Sequence, residues 1–139
     1  MDTVSKKKRS EIMSKIRGKN TKPEREVRKF LFSKGFRYRL HDKSLPGTPD
    51  IVFKKNKLAI QVRGCFWHGH NCKYGGYPKT NRFFWKKKIN DNNKRDIKND
   101  KRLKLSGYRL LVIRECQIRK KRHIDRIITF LKDYKENFV

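Results

Sequence analysis

The run Cys65-Phe66-Trp67-His68-Gly69-His70-Asn71-Cys72 sets two thiols and two imidazoles within eight residues, and a third cysteine, Cys116, follows a distant apolar run. Tetrahedral Zn2+ needs four nitrogen or sulfur ligands, and Cys65, His70, Cys72 and Cys116 supply a Cys3His set. This is a strong restriction on the fold. Any structure that satisfies it must bring an irregular, glycine-rich loop to the end of a strand much further along the chain. The cation would then have a structural role, and His68 would be left free for other work. An odd number of cysteines fits metal binding or free thiols rather than a disulfide framework, which points to a reducing, cytoplasmic setting.

The rest of the chain offers the elements such a site requires. At 139 residues one domain is expected. Residues 1–9 carry Lys6-Lys7-Lys8-Arg9 and read as a basic N-terminal arm, with the domain proper spanning residues 10–139. A short helix fits residues 10–16, broken by Gly18-Lys19-Asn20. Thr21 and Glu24 form a capping-box pair with Pro23 in the first turn, and the helix they start buries Val27, Phe30 and Leu31 before stopping near Gly35. Residues 36–40 alternate apolar and basic, as a half-exposed strand does. Residues 50–53 and 58–62 read as strands joined by a polar hairpin at 54–57. A basic helix follows over 81–105, with Phe84, Ile89, Ile97, Leu103 and Leu105 as its intermittent apolar face. Residues 108–113 form a buried strand, and Ile124, Ile127, Ile128 and Leu131 mark a closing helix. The order α-β-β-β-α-β-α predicts an α/β domain, a mixed central sheet flanked by helices.

Charge narrows the partner. Forty Lys and Arg against thirteen Asp and Glu give a formal net charge of +27. Self-repulsion of this size is relieved by a polyanion, and nucleic acid gains affinity by releasing counterions as its phosphates are neutralised. An anionic membrane surface would relieve it too, but no apolar run approaches the roughly 20 residues that span a bilayer.

Pro49-Asp50, a strand, a turn and then Gln61-Val62-Arg63 resemble the PD-(D/E)xK pattern of metal-dependent nucleases. An aspartate at the start of one strand and a polar group late in its antiparallel neighbour can meet around one Mg2+, which polarises a phosphate and helps generate hydroxide. Asp50 could equally cap a turn, Gln61 could face solvent, and Arg63 could be one more phosphate contact. His68, whose imidazole titrates near neutrality, suits general acid–base work on a phosphodiester. Phe66 and Trp67 are either core aromatics or wedges that unstack base pairs.

Three segments, Leu45-Pro46-Gly47-Thr48-Pro49-Asp50, Gly64-Cys65-Phe66-Trp67-His68-Gly69-His70 and Arg114-Glu115-Cys116, together resemble the very short patch repair (Vsr) family of DNA mismatch endonucleases. So do residues 10–13, Phe84-Trp85 and Arg95-Asp96. The resemblance implies a restriction-endonuclease-like fold with a structural zinc. It also implies a Mg2+-dependent enzyme that nicks one strand of double-stranded DNA beside a T:G mismatch left by deamination of 5-methylcytosine. It makes Asp50 the catalytic metal ligand, with the Val62 carbonyl as companion, His68 a catalytic histidine, and Glu24 an acidic group near the site. Cys65, His70, Cys72 and Cys116 become the zinc ligands. Phe66, Trp67 and Trp85 become aromatics inserted into DNA, with Met13 at the minor groove and Lys88 among the DNA contacts. Trp85 and Glu24 take these roles from the resemblance alone. A monomer suffices for one nick, and downstream mismatch-repair proteins and a DNA polymerase are the implied partners. Arg63 departs from the family, where aspartate or histidine is common. It could stabilise charge on the phosphorane, or repel the metal and leave a protein that binds mismatches without cutting. A related nuclease with another target is the remaining alternative.

Overall fold

The computed structural model describes residues 21–65, 70, 72 and 80–132. The basic arm at 1–9, the helix expected over 10–16, and Met13, Phe66, Trp67 and His68 lie outside the described residues.

Helix α1 (Lys22–Ser33) begins where Thr21 accepts a hydrogen bond from the Glu24 amide at 3.4 Å, with proline in the first turn. It buries Val27 and Leu31 completely and gives way at Gly35, whose φ of 85° suits the end of a helix. Strand β1 (Arg39–Leu40) is shorter than the alternation over 36–40 suggested. Phe36 and Tyr38 do face inward, packing edge-on against Phe53 at 6.2 and 6.1 Å. Their backbone stays out of the sheet, where β1 pairs only Arg39 and Leu40 with Val52 and Ile51 of strand β2 (Ile51–Phe53).

β2 turns back antiparallel into β3 (Leu58–Arg63), in register Ile51 to Ile60 and Phe53 to Leu58. The chain then crosses by α2 (Arg82–Leu105) to β4 (Arg109–Arg114), which lies parallel to β3 with Ile60 opposite Leu111. A parallel pair needs such a crossover, and a helix commonly supplies it. The sheet order is β1-β2-β3-β4. The chain closes with a short helix α3 (Glu115–Arg119) and then α4 (His123–Phe130).

Alternation along the strands sorts the two faces of the sheet. Ile51, Phe53, Leu58, Ile60, Leu111 and Ile113 join Val27 and Leu31 of α1 and Ile127 and Phe130 of α4 in one core. The intervening Val52 and Ala59, also buried, fall outside that cluster, as do Ile89 and Leu103 of α2. α2 covers the second face with a narrow stripe. At about 100° per residue, Leu103 lies close to the line of Ile89, whereas Phe84, Ile97 and Leu105 are rotated well away. They are accordingly 57%, 69% and 78% exposed, so the broad apolar face expected for this helix is reduced to two residues.

Candidate metal centres

Two groups of ligand-type side chains form among the described residues. The first is Cys65, His70, Cys72 and Cys116, whose ligand atoms all lie within 4.8 Å of one another. β3 delivers Cys65 just past its last residue, and β4 delivers Cys116 through the first turn of α3. The parallel pairing of Arg63 with Arg114 brings the two ends level. His70 turns back on Cys65, its amide bonded to the Cys65 carbonyl at 2.9 Å, and the Cys72 amide bonds the His70 carbonyl at 3.0 Å. His70 Nδ1 is 3.5 Å from Cys116 Sγ, and Cys65 Sγ accepts the Cys116 amide at 3.4 Å.

The donors fit a thiophilic cation. Burial first, and then the neighbouring Cys72 and Cys116 thiols, push the Cys65 thiol up to about 12. The pocket by itself therefore favours the neutral Cys65 thiol, and a bound cation would supply the charge that lets it serve as a thiolate; the N–H to sulfur bond is the kind of outer contact that steadies such a ligand.

The second group is Glu24, His41 and Asp50. Asp50 stands immediately before β2 and is 7% exposed. β2 begins only at Ile51 while β3 runs on past its partner Ile60, and the Asp50 side chain takes over where the ladder stops: Oδ2 accepts the Val62 amide at 2.7 Å. Residues Leu58, Ile60 and Val62 send both backbone polar groups toward the β2 edge, so the Val62 carbonyl leaves on the same side as its amide. Glu24, in the first turn of α1, is 2% exposed. Its carboxylate holds His41 Nε2 at 2.9 and 3.0 Å and Arg28 Nη1 at 3.0 Å. His41 Nε2 is also 4.0 Å from Asp50 Oδ1.

The two carboxyls are pushed in opposite directions. Burial raises Asp50 to about 8; the Val62 amide opposes this, and Glu24 adds to it as an acceptor and as a like charge. Burial also works on Glu24, but hydrogen bonds from His41, Asp50 and Arg28 outweigh it and hold that carboxyl below its ordinary value. The pair therefore carries one firm negative charge, and a divalent cation would draw out the second.

Arg63 is not aimed at this pair as a free charge. It is 7% exposed, with Nη2 bonded to Asp100 Oδ1 at 2.6 Å and Nε 3.8 Å from Asp96 Oδ2, both on α2. Gln61 is taken up by the preceding turn, donating to the Gly47 carbonyl at 3.1 Å. Trp85 is half-buried in the first turn of α2, edge-on to Phe84 at 5.2 Å, with Phe83 beside them 86% exposed. Lys88 is exposed on the same helix. A cavity of about 620 Å3 between α1, α3 and α4 contains none of these groups.

His41 was missed from sequence. The signal was available in the strand pairing: once Leu40 faces Ile51, the next step places His41 opposite Asp50, and the His41 amide does bond the Asp50 carbonyl at 3.1 Å.

Comparison with known proteins places these groups in context. The family model for DNA mismatch endonuclease Vsr matches residues 1–74. A type II nicking enzyme of Neisseria meningitidis serogroup A is 46% identical over 136 residues, 95% of this chain and 97% of that protein. A type II nicking enzyme of Xanthomonas oryzae is 45% identical over 117 residues, 84% of this chain and 86% of its own. The DNA mismatch endonuclease Vsr of Escherichia coli is 37% identical over 118 residues, covering 85% and 76% respectively.

Proposed function

Because this chain belongs to the DNA mismatch endonuclease Vsr family, we propose that it nicks one strand of double-stranded DNA beside a T:G mismatch, hydrolysing a phosphodiester with a divalent cation such as Mg2+. The observation that carries this reading is the buried Glu24–Asp50 pair, set at the unpaired edge of β3 in a chain of formal charge +27. An isolated pair of buried acids is costly. Beside a phosphodiester and a cation the same pair becomes useful.

Asp50 would hold the cation, with the Val62 carbonyl as a second oxygen donor. A cation bound there would polarise the scissile phosphate and lower the pKa of an attacking water. Glu24, kept ionised by His41 and Arg28, would accept hydrogen bonds from that water and orient it. His68 would pass a proton to or from the reacting oxygens, and Trp85 with Phe66 and Trp67 would hold the mismatch open by stacking. Met13 would reach the minor groove and Lys88 a phosphate, with the arm at residues 1–9 adding further phosphate contacts. Cys65, His70, Cys72 and Cys116 would hold Zn2+ and fix the loop that carries Phe66, Trp67 and His68.

The engagement of Arg63 by Asp96 and Asp100 supports cutting over binding alone, since the two carboxylates offset the guanidinium's repulsion of a metal even though its charge still reaches Asp50. We further propose a monomer that works in the cytoplasm, with repair synthesis left to a DNA polymerase and other mismatch-repair proteins. No helix among the described residues is long and apolar enough to cross a membrane.

The test is an end-labelled duplex with and without one T:G pair, incubated with Mg2+. Nicking confined to the mismatched duplex is expected. Cutting of matched DNA would replace this reading with a nuclease of other specificity, and tight mismatch binding without a nick would replace it with a binding protein.

A further inference from the structure

His41 has no role in the scheme above beyond keeping Glu24 charged, yet its position is closely determined. Its side chain is 15% exposed, and Nε2 faces both Glu24 oxygens at 2.9 and 3.0 Å with Asp50 Oδ1 at 4.0 Å. Its backbone sits at φ 47°, in the left-handed region. A side chain is strained there, and glycine would make the same bend without that strain. The shape of the turn alone does not call for histidine.

We propose that His41 Nε2 is a ligand in the same cation site as Glu24 and Asp50, and that this nitrogen turns the site from Mg2+ toward first-row transition ions. The inference rests on the reading that Asp50 holds the catalytic cation. The three ligand atoms lie within 4.8 Å of one another. With bonds of about 2.1 Å, ligands at right angles around one ion are separated by about 3 Å, and ligands on opposite sides by about 4.2 Å. The separations of 2.9 and 4.0 Å lie within that range. An ion there would take the Nε2 lone pair of the neutral ring whose proton sits on Nδ1. Mg2+ favours oxygen donors and water, whereas imidazole raises affinity for transition ions, of which Mn2+ is the weakest binder. An oxygen-only site separates these ions poorly. A site with one nitrogen separates them better.

Mn2+ is therefore a suitable probe, with zinc-loaded full-length protein and no DNA. Pulsed electron paramagnetic resonance of bound Mn2+ should show coupling to one nitrogen nucleus. In His41→Gln, which keeps a polar side chain of similar reach, the coupling should vanish. Mn2+ should then bind about tenfold more weakly or worse, while Mg2+ affinity, measured by competition, changes much less. Zinc content and circular dichroism report whether each variant is folded. The wild-type spectrum decides by itself if the variant does not fold: bound Mn2+ with no nitrogen coupling overturns the proposal. Coupling that persists in a folded His41→Gln overturns it as well. Asp50→Ala separates this inference from the one beneath it. Loss of Mn2+ binding there, with no nitrogen coupling in the wild type, refutes His41 alone; undiminished binding refutes the catalytic site at Asp50 and His41 with it.

Discussion

Asp50 concentrates the conflict between stability and chemistry in one side chain. Its carboxyl is raised by burial to about 8, far above an ordinary aspartate. A raised carboxyl contributes stability that is fully present below the unfolded value, near pH 4, and is lost as pH climbs to the folded value. Between those limits the slope is at most about 1.4 kcal/mol per pH unit. Urea unfolding with no added divalent ion should therefore show Asp50→Asn gaining on the wild type as pH rises from 5 to 8, and added Mg2+ should narrow the gap. A gap that stays constant across that range would mean Asp50 is not held neutral. In nicking assays Asp50→Ala should abolish cleavage while mismatch affinity, read by gel shift, stays within a fewfold. Arg63 makes the opposite case, since its charge is matched. Arg63→Ala removes the guanidinium that Asp100 holds at 2.6 Å in a partly buried setting, which should cost about 2–4 kcal/mol in a denaturation midpoint analysis. Arg63→Asp should cost more, because it places a third carboxylate beside Asp96 and Asp100. Any activity change in Arg63→Asp must therefore be read alongside its stability.

At the scale of elements, the Cys65, His70, Cys72 and Cys116 group joins the end of β3 to α3. Cys116→Ser should release the metal and lower the thermal midpoint by several degrees, with far-UV dichroism little changed, because the core of α1, α4 and the sheet contains none of the four ligands. Loss of all helical signal would show that the cluster holds the whole fold together. The elements that could be read from sequence were those with local punctuation. Thr21 and Gly35 bracket α1, and Gly107 closes α2. The Cys3His group was legible from spacing alone, because eight residues already held three of its four ligands. Less could be read where partners decide the outcome. β1 is reduced to Arg39 and Leu40 at the edge of the sheet, and Phe84, Ile97 and Leu105 stayed exposed because α2 lays only one stripe on the sheet. α3 was not anticipated: it depends on the Gln117 side chain accepting the Arg114 amide at 2.8 Å, a contact with no pattern in the sequence. His41 and the Arg63–Asp100 pair needed the strand register and the helix crossing, and neither is a property of nearby residues.

The whole molecule is an unbalanced polycation built on a small sheet. Its affinity for duplex DNA should fall steeply with salt, and Lys88→Ala should reduce the slope of log affinity against log salt by about 0.9 if that side chain neutralises one phosphate. An unchanged slope would remove Lys88 from the interface. The crossover from β3 through α2 to β4 also has a consequence in time. Cys116 leaves the ribosome only after β4, so three members of the Cys3His group exist for the whole synthesis of α2 before the fourth can reach them. Contacts that close so long an excursion form late and slowly compared with local ones. Metal capture and sheet closure would thus become a single kinetic event. In stopped-flow refolding, full tetrahedral ligation, followed through a cobalt(II) substitute, should appear at the rate of global folding and not before it.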